Sequence, residues 1–392
     1  MIDTFRIIWY INDEVILMLI KFEVENFEGF KDKVEFDLES NKRYTFNNSL
    51  VDKRIVKKAL VYGPNASGKS SLCQAIMDIT YHIVDKEKYL LSLDRYFNAG
   101  SNINKAKFIY TFKFDKQIVK YEYVKSTPIS LVYEKVYVGD KLIFEYNYLD
   151  ESHYVNLIEE AKTLNIKNVP QQLSVIKFIY NNTILSEKSP IYKLVKYVEG
   201  MLYFKSLTEG NQYVGYSNGP ESLSSIIIRQ DKVKDFETFL SSQGIKYNLC
   251  VYQNQSGVND LGIKFDNGKI MPFNSIISSG TKTIWLFYCW MLEFNHLTML
   301  IIDEFDAYYH YTTAQAILKI VNSYENMQSI ITTHNITLMN NQITRPDCCY
   351  LISDNKILPL YKLNKKEIRE KNNLQNMYVN GEFSNILEKD GD

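Results

Sequence analysis

The 392-residue chain is poor in cysteine, has almost no net charge and lacks any long apolar run. Its five cysteines, Cys73, Cys250, Cys289, Cys348 and Cys349, form no Cys-x-x-Cys pair. That argues against zinc and disulfides and for a reducing compartment. The 45 Lys and Arg against 46 Asp and Glu give a net charge of −1, so no overall basic excess points to nucleic acid. A local basic face can still lie within a neutral total. No segment reaches the ~20 uninterrupted apolar residues of a membrane span. The nearest, residues 5–20, is interrupted by Asn12, Asp13 and Glu14 and shows no small-residue cleavage site. Neither membrane contact nor a signal peptide is expected, and the chain reads as cytoplasmic. Internal repeats and long heptad runs are absent. Tyrosine is abundant, at 30 residues, which reads as compositional bias rather than a recognition surface.

What is present is a phosphate-binding loop. Gly63, Gly68, Lys69 and Ser70 stand at the spacing G-x-x-x-x-G-K-[ST]. Two glycines let the backbone turn tightly and bring its N–H groups to phosphate oxygens. A helix starting near Lys69 adds its positive dipole end. Lys69 is placed to reach the β- and γ-phosphates, and the Ser70 hydroxyl to ligate Mg²⁺. The context agrees: Val56 to Tyr62 read as a strand, and Ser71 to Ile79 as a helix with Leu72, Ile76 and Ile79 on one face. Cys73 is expected to pack within that helix.

Upstream, Leu19 to Phe27 and Val34 to Leu38 alternate like a hairpin-like strand pair. Met18 is a natural start for that pattern, so residues 1–17 read as an N-terminal extension. Downstream, residues 86–105 are loop-like, and 105–148 read as an antiparallel meander with a tight turn at Gly139-Asp140. Residues 154–203 look mixed to helical, with an apolar stripe from Tyr192 to Leu202. A loop-rich stretch spans 207–222. Residues 223–244 read helical, and 246–273 strand-like with a turn at Asp266-Asn267-Gly268.

Three further motifs follow. Ser278-Ser279-Gly280-Thr281 precedes a helical run from Thr283 to Phe294. A Ser-x-Gly turn opening a helix is an anion site by the P-loop argument, although in isolation an ordinary N-cap at Ser278 or Ser279 explains it better. Next, Met299-Leu-Ile-Ile runs into Asp303 and Glu304, a buried strand whose carboxylates emerge at its C-terminal end, where ligands bind in open α/β sheets. Asp303 is the candidate for the Mg²⁺ shell, and Glu304 for the general base that polarises a water. Finally, Gln328 to Thr333 form another buried strand that ends on His334, a second catalytic candidate.

The order P-loop, Ser-Ser-Gly-Thr, Asp-Glu, Thr-Thr-His resembles the ABC-type ATPase heads of the SMC and RecF group. The resemblance is closer to the standalone AAA-type, ABC-like ATPases related to overcoming-lysogenization-defect nucleases and abortive-infection proteins. It is carried by Asn26-Phe27, by Asp303-Glu304-Phe305-Asp306 with His310, and by the tail from Arg345-Pro346-Asp347 to Gly381. It implies an α/β P-loop fold with a central, mostly parallel sheet, an antiparallel β-subdomain and a helical insertion. It divides residues 18–392 into a P-loop lobe (18–85), a meander and helical insertion (86–250), a signature lobe (251–345) and C-terminal strands and tail (346–392). It also implies ATP and Mg²⁺ as cofactors. Gly63, Pro64, Asn65, Ala66, Ser67, Gly68, Lys69, Ser70 and Ser71 would hold the phosphates. Ser278, Ser279, Gly280 and Thr281 would clamp the nucleotide of a second subunit, giving a head-to-tail homodimer or a larger oligomer. Glu304 and His334 would run hydrolysis.

Two departures qualify the likeness. The signature has Ser279 where the common pattern has Gly, which is expected to slow hydrolysis. The glutamine that usually links Mg²⁺ to the lateral lobe is not identifiable, and Gln212 is the nearest candidate. No coiled-coil insertion marks an SMC-type tether, and the stretch after His334 is too short for a Toprim nuclease domain. The resemblance therefore points to ATP-controlled action on a separate effector, a nuclease or toxin, in anti-phage defence. The rivals are a RecF-like DNA-repair ATPase, with Lys86, Lys88 and Arg95 as candidate DNA contacts, and a scaffold that binds ATP without turning it over.

Overall fold

The computed structural model describes residues 17–85, 95–156, 164, 166, 168–205, 213–214, 222–305, 309–364 and 366–383. Residues 1–16, Lys86, Lys88, Gln212 and Asp306 therefore lie outside the described residues.

The chain opens with β1 (Leu17–Glu25) and β2 (Val34–Asp37), paired antiparallel. Their alternation sends Phe22, Val24, Val34 and Phe36 inward, while Lys21 pairs with Glu23 and Glu35, both at 2.7 Å, on the outer face. The short strands β3 (Val51–Asp52) and β4 (Ile55–Val56) precede β5 (Lys58–Tyr62), which feeds the P-loop. Helices α1 (Lys69–Met77) and α2 (Ile79–Ile83) follow. The meander expected over 105–148 is β6 (Ala106–Phe114), β7 (Gln117–Thr127), β8 (Ser130–Val138) and β9 (Lys141–Asn147), with β10 (His153–Val155) at its edge. These strands extend the β1–β2 pair into a seven-stranded antiparallel sheet in the order β10-β9-β8-β7-β6-β1-β2.

Helices α3 (Val175–Asn182) and α4 (Pro190–Glu199) come next. The apolar stripe beginning at Tyr192 does not stay helical to Leu202. It breaks at Gly200, and Met201–Lys205 form a buried strand, β11. Gly200 is required there because a Cβ would lie 2.8 Å from the Thr298 side chain. After β12 (Tyr213–Val214), helices α5 (Leu223–Arg229) and α6 (Val233–Ser242) divide the stretch that reads as helical. A three-stranded antiparallel sheet, β13 (Leu249–Gln253), β14 (Asn259–Lys264) and β15 (Ile270–Pro272), precedes α7 (Phe273–Ile276) and α8 (Ser279–Met291). The chain then alternates β16 (Met299–Asp303), α9 (Tyr311–Ser323) and β17 (Gln328–Thr333). It closes with β18 (Cys349–Ser353), β19 (Lys356–Pro359), α10 (Leu360–Leu363) and α11 (Leu374–Val379).

The second seven-stranded sheet has the order β12-β11-β16-β17-β5-β18-β19, parallel throughout except for its two edge strands. Its inner strands β5, β16 and β17 are buried along their whole length, as expected when both faces are covered. Alternate residues divide between two cores. Ala59, Val61, Met299, Ile301 and Ile330 face the antiparallel sheet and α1–α4. Leu60, Tyr62, Leu300, Ile302 and Ile331 face α5, α6, α8 and α9. Gln328 ties the two sheets together. Its amide donates to the Leu19 and Val56 carbonyls at 2.8 and 3.0 Å, and its oxygen accepts from the Leu19 N–H at 2.9 Å.

The abundant tyrosines are largely structural. Tyr96, Tyr110, Tyr121, Tyr123, Tyr146, Tyr197, Tyr203 and Tyr350 are fully buried. The Arg345–Asp347 pair in the tail is a buried two-pronged ion pair, with nitrogen to oxygen distances of 2.9 and 2.7 Å. The Ser40 hydroxyl also donates to Asp347.

Candidate functional site

Parallel pairing brings the strand ends to one edge. Tyr62 of β5 stands beside Thr333 of β17, and Lys205 of β11 stands beside Asp303 of β16. The P-loop, Glu304 and His334 each continue directly from one of these strand ends. They therefore emerge together at the C-terminal edge, where α/β sheets bind ligands.

The P-loop geometry explains both glycines. A Cβ at Gly63 would lie 2.7 Å from the Ile352 carbonyl oxygen. Gly68 has φ +98°, and a Cβ there would meet the Phe30 ring at 2.7 Å. The turn thus folds against β18 on one side and the loop after β1 on the other. Pro64, Asn65 and Ala66 are exposed at its tip, and Ala66 takes a positive φ of 60°. The Ser67 Oγ is buried and accepts or donates no hydrogen bond among the described residues. Lys69 folds back, its Nζ donating to the Gly63 and Pro64 carbonyls at 2.9 and 2.8 Å. Burial lowers its pKa, and the nearby Asp303 and Glu304 charges oppose that shift. Ser70 and Ser71 sit half-buried in the first turn of α1.

Asp303 is fully buried. Its Oδ1 accepts from the Thr332 hydroxyl at 2.6 Å, and the same hydroxyl oxygen accepts the Glu304 N–H at 2.8 Å. One β17 threonine therefore fixes both acids. The chain turns sharply there, with Glu304 at φ 52°, a conformation a non-glycine residue adopts at some cost. Asp303 Oδ2 and Glu304 Oε2 accept no hydrogen bond among the described residues. The cation nearest to both is Lys205, 3.6 Å from Asp303 and 3.7 Å from Glu304. His334 comes directly after β17, with its side chain exposed.

Ser278 caps α8, its Oγ accepting the Thr281 N–H at 3.1 Å, and Thr281 is buried. Ser278 and Ser279 are exposed. No hydrogen bond among the described residues joins Ser278, Ser279, Gly280 or Thr281 to residues 63–71 of the same chain. The structure thus assembles Gly63–Ser71, Asp303, Glu304 and His334 at one edge and leaves the Ser-Ser-Gly-Thr turn on the surface. His310 is an exposed N-cap of α9, its Nδ1 2.9 Å from Thr312 Oγ1. Cys73 is buried, and burial holds its thiol well above the usual range, so it is inert.

Two site residues escape a sequence reading. Lys205 is one, recognisable only as a cation ending an apolar run, as Asp303 is an anion ending another. Glu28 is the other. Burial raises its carboxyl pKa against the pull of Ser71, Lys205 and Arg95. Arg95 itself is exposed.

The residues present fit a magnesium nucleotide. The loop offers a cradle that side chains would fill, a buried hydroxyl without a partner and two carboxylate oxygens open to a cation. No group of three His, Cys, Asp or Glu side chains that could cage a metal occurs among the described residues. Mg²⁺ binds through one or two carboxylates plus substrate phosphates, and Asp303 and Glu304 are the carboxylates at this edge.

Residues 173–340 match the family described as "AAA domain, putative AbiEii toxin, Type IV TA system". The match covers less than half of the chain and begins after the P-loop. No curated protein matches the chain. Among solved structures, the SMC head domain from Thermotoga maritima is similar at 14% identity and a TM-score of 0.42, covering 87% of this chain and 98% of that one. The recombination mediator protein RecF of the RecFOR pathway is similar at 12% identity and a TM-score of 0.38, covering 88% and 99%. No helix among the described residues is long and apolar enough to cross a membrane.

Proposed function

We propose that this chain is an ABC-type ATPase of the SMC and RecF group that binds Mg-ATP between two copies of itself and hydrolyses it to ADP and phosphate. The observation that carries the reading is the shared sheet edge, where the P-loop and two carboxylates with open oxygens meet. Residues 63–71 would take the phosphates, with Lys69 leaving its loop carbonyls for the β- and γ-oxygens. Ser70 and Asp303 would hold Mg²⁺, which when bound supplies charge that neutralises the phosphates. Glu304, anchored through its backbone to Thr332, would accept the proton of the attacking water. His334, on the neighbouring strand end, would orient that water.

The outward-facing Ser278–Thr281 turn supports a site completed by a second chain. It lies at the N-terminus of a 13-residue helix, where N–H groups favour an anion. A partner's γ-phosphate would satisfy it, giving a head-to-tail dimer with two nucleotides. Ser279 narrows the approach and would slow turnover.

The matched family's description names a toxin and a Type IV toxin–antitoxin system. By the resemblance read from the motifs, the ATP state would control a separate effector in anti-phage defence.

Phosphate release and light-scattering mass, measured with Mg-ATP, test the ATPase reading. Wild type should turn over. Glu304→Gln should bind ATP, release phosphate about 10²–10⁴-fold more slowly and accumulate as a dimer. A monomer that binds ATP without turnover, with the variant identical, would reduce the chain to an ATP-binding scaffold.

A further inference from the structure

The acidic pair of this site already has a cation beside it. Lys205 is the register partner of Asp303 in the parallel β11–β16 pair, so the backbone fixes where its side chain begins. Its Nζ lies 3.6 Å from Asp303 Oδ2 and 3.7 Å from Glu304 Oε2. Those are the two carboxylate oxygens that accept no hydrogen bond among the described residues. Both distances exceed the 2.7–3.2 Å of a formed hydrogen bond. The ammonium therefore balances two charges without being bound tightly to either. Lys69 does not take this part, because two of its three N–H donors hold it on the Gly63 and Pro64 carbonyls. Lysine suits the task, being a compact point charge on a flexible four-carbon stem.

We propose that Lys205 is a positioning residue that stands in for the metal in the nucleotide-free state and must swing away when the divalent cation arrives with ATP. The inference rests on the Mg-ATP reading of the site. Without nucleotide, Lys205 neutralises Asp303 and Glu304 and keeps a divalent ion from settling between them. With nucleotide, phosphate oxygens complete the metal's shell and supply a new partner for the displaced ammonium. The site is thereby reserved for the metal–nucleotide complex and closed to the metal alone.

The test is Mn²⁺ binding by the nucleotide-free full chain, followed by the loss of the free-ion paramagnetic resonance signal. Wild type and Lys205→Arg should bind Mn²⁺ weakly and alike. Lys205→Met should bind it roughly tenfold more tightly, because a competing charge is gone from beside the buried Asp303 and the half-buried Glu304. Melting curves check that each variant folds, and Lys205→Gln replaces the methionine variant if that one does not. Wild type gives an independent reading: acylation of Lys205 by a small amine-reactive reagent, quantified by mass spectrometry, should be unmoved by Mn²⁺ alone and should change when Mn²⁺ and ATP are added together. Equal or weaker Mn²⁺ binding by the neutral variants, or labelling that responds to Mn²⁺ alone or ignores Mn²⁺ with ATP, overturns the proposal. Fluorescent-ATP binding by wild type is measured beside it. If wild type binds ATP and only the Lys205 comparison is flat, the positioning role falls. If wild type binds no ATP, the nucleotide-site reading itself falls.

Discussion

Two groups of buried acids are treated differently. Between α1 and α2, against the antiparallel sheet, Asp78 is enclosed by donors. Tyr96 and Tyr123 hydroxyls reach it at 2.9 and 2.8 Å, and the fully buried Lys125 at 2.5 Å. Glu134 likewise accepts from the Tyr121 and Ser174 hydroxyls at 2.6 and 2.7 Å, from the Val175 N–H at 2.8 Å and from the Tyr148 hydroxyl. At the edge of the parallel sheet, Asp303 is just as buried, yet one of its oxygens and one of Glu304 accept nothing. A buried polar group without a partner costs free energy. A fold that satisfies Asp78 and Glu134 fully and leaves Asp303 open has placed the acid where a ligand completes it. The saturated network builds the molecule, and the open pair is available for chemistry.

Removing one acid from each side breaks this comparison most sharply. Asp78→Ala leaves Lys125 as an uncompensated buried cation and should lower unfolding stability by about 3–5 kcal/mol in a denaturant titration. Asp303→Asn keeps the Thr332 hydrogen bond and removes a charge that lacks a full partner. Its stability should stay within about 1 kcal/mol of wild type, while Mg²⁺-dependent ATP affinity falls. Comparable stability losses in the two variants would erase the distinction.

Glu134 sharpens the comparison through pH. Burial raises its pKa above the ordinary 4.5, against the downward pull of its hydrogen bonds. A carboxyl whose folded pKa is raised contributes stability below 4.5 that is lost as pH rises through the folded value. The melting temperature of wild type relative to Glu134→Gln should therefore fall as pH increases from the acidic side. A flat difference across that range would mean that the donors fully offset burial.

The sequence makes some of this legible and hides the rest for a physical reason. The P-loop is readable because its spacing is fixed by the turn it must make, and Gly63 and Gly68 prove to be positions where a Cβ would collide. The strands ending in Asp303 and Thr333 are readable because a buried parallel strand is an uninterrupted apolar run. The meander is readable because its residues alternate. Strand order is not written locally, so nothing in the chain says that β11 lies beside β16 or that Lys205 faces Asp303. The helical periodicity of α4 runs on through Gly200 and conceals β11 altogether. The tyrosine-rich composition looks like bias, because partners such as Asp78 for Tyr96 and Tyr123, or Glu134 for Tyr121, are brought to the hydroxyls only by the fold. Gln328 and Thr332 read as ordinary strand residues, although one joins the two sheets and the other fixes both acids.

The central claim is that the open acids and the P-loop of one chain work with the surface Ser-Ser-Gly-Thr turn of another. Phosphate release from an equimolar mixture of Lys69→Ala and Ser279→Arg chains tests it most directly. Each variant alone should be inactive, since every site in its homodimer carries a lesion. In a mixed dimer, one site combines an intact P-loop with an intact turn. If half of the dimers are mixed, the mixture should recover about a quarter of wild-type activity. A mixture as silent as its components, from chains that each fold and exchange subunits, would contradict a site shared between two copies.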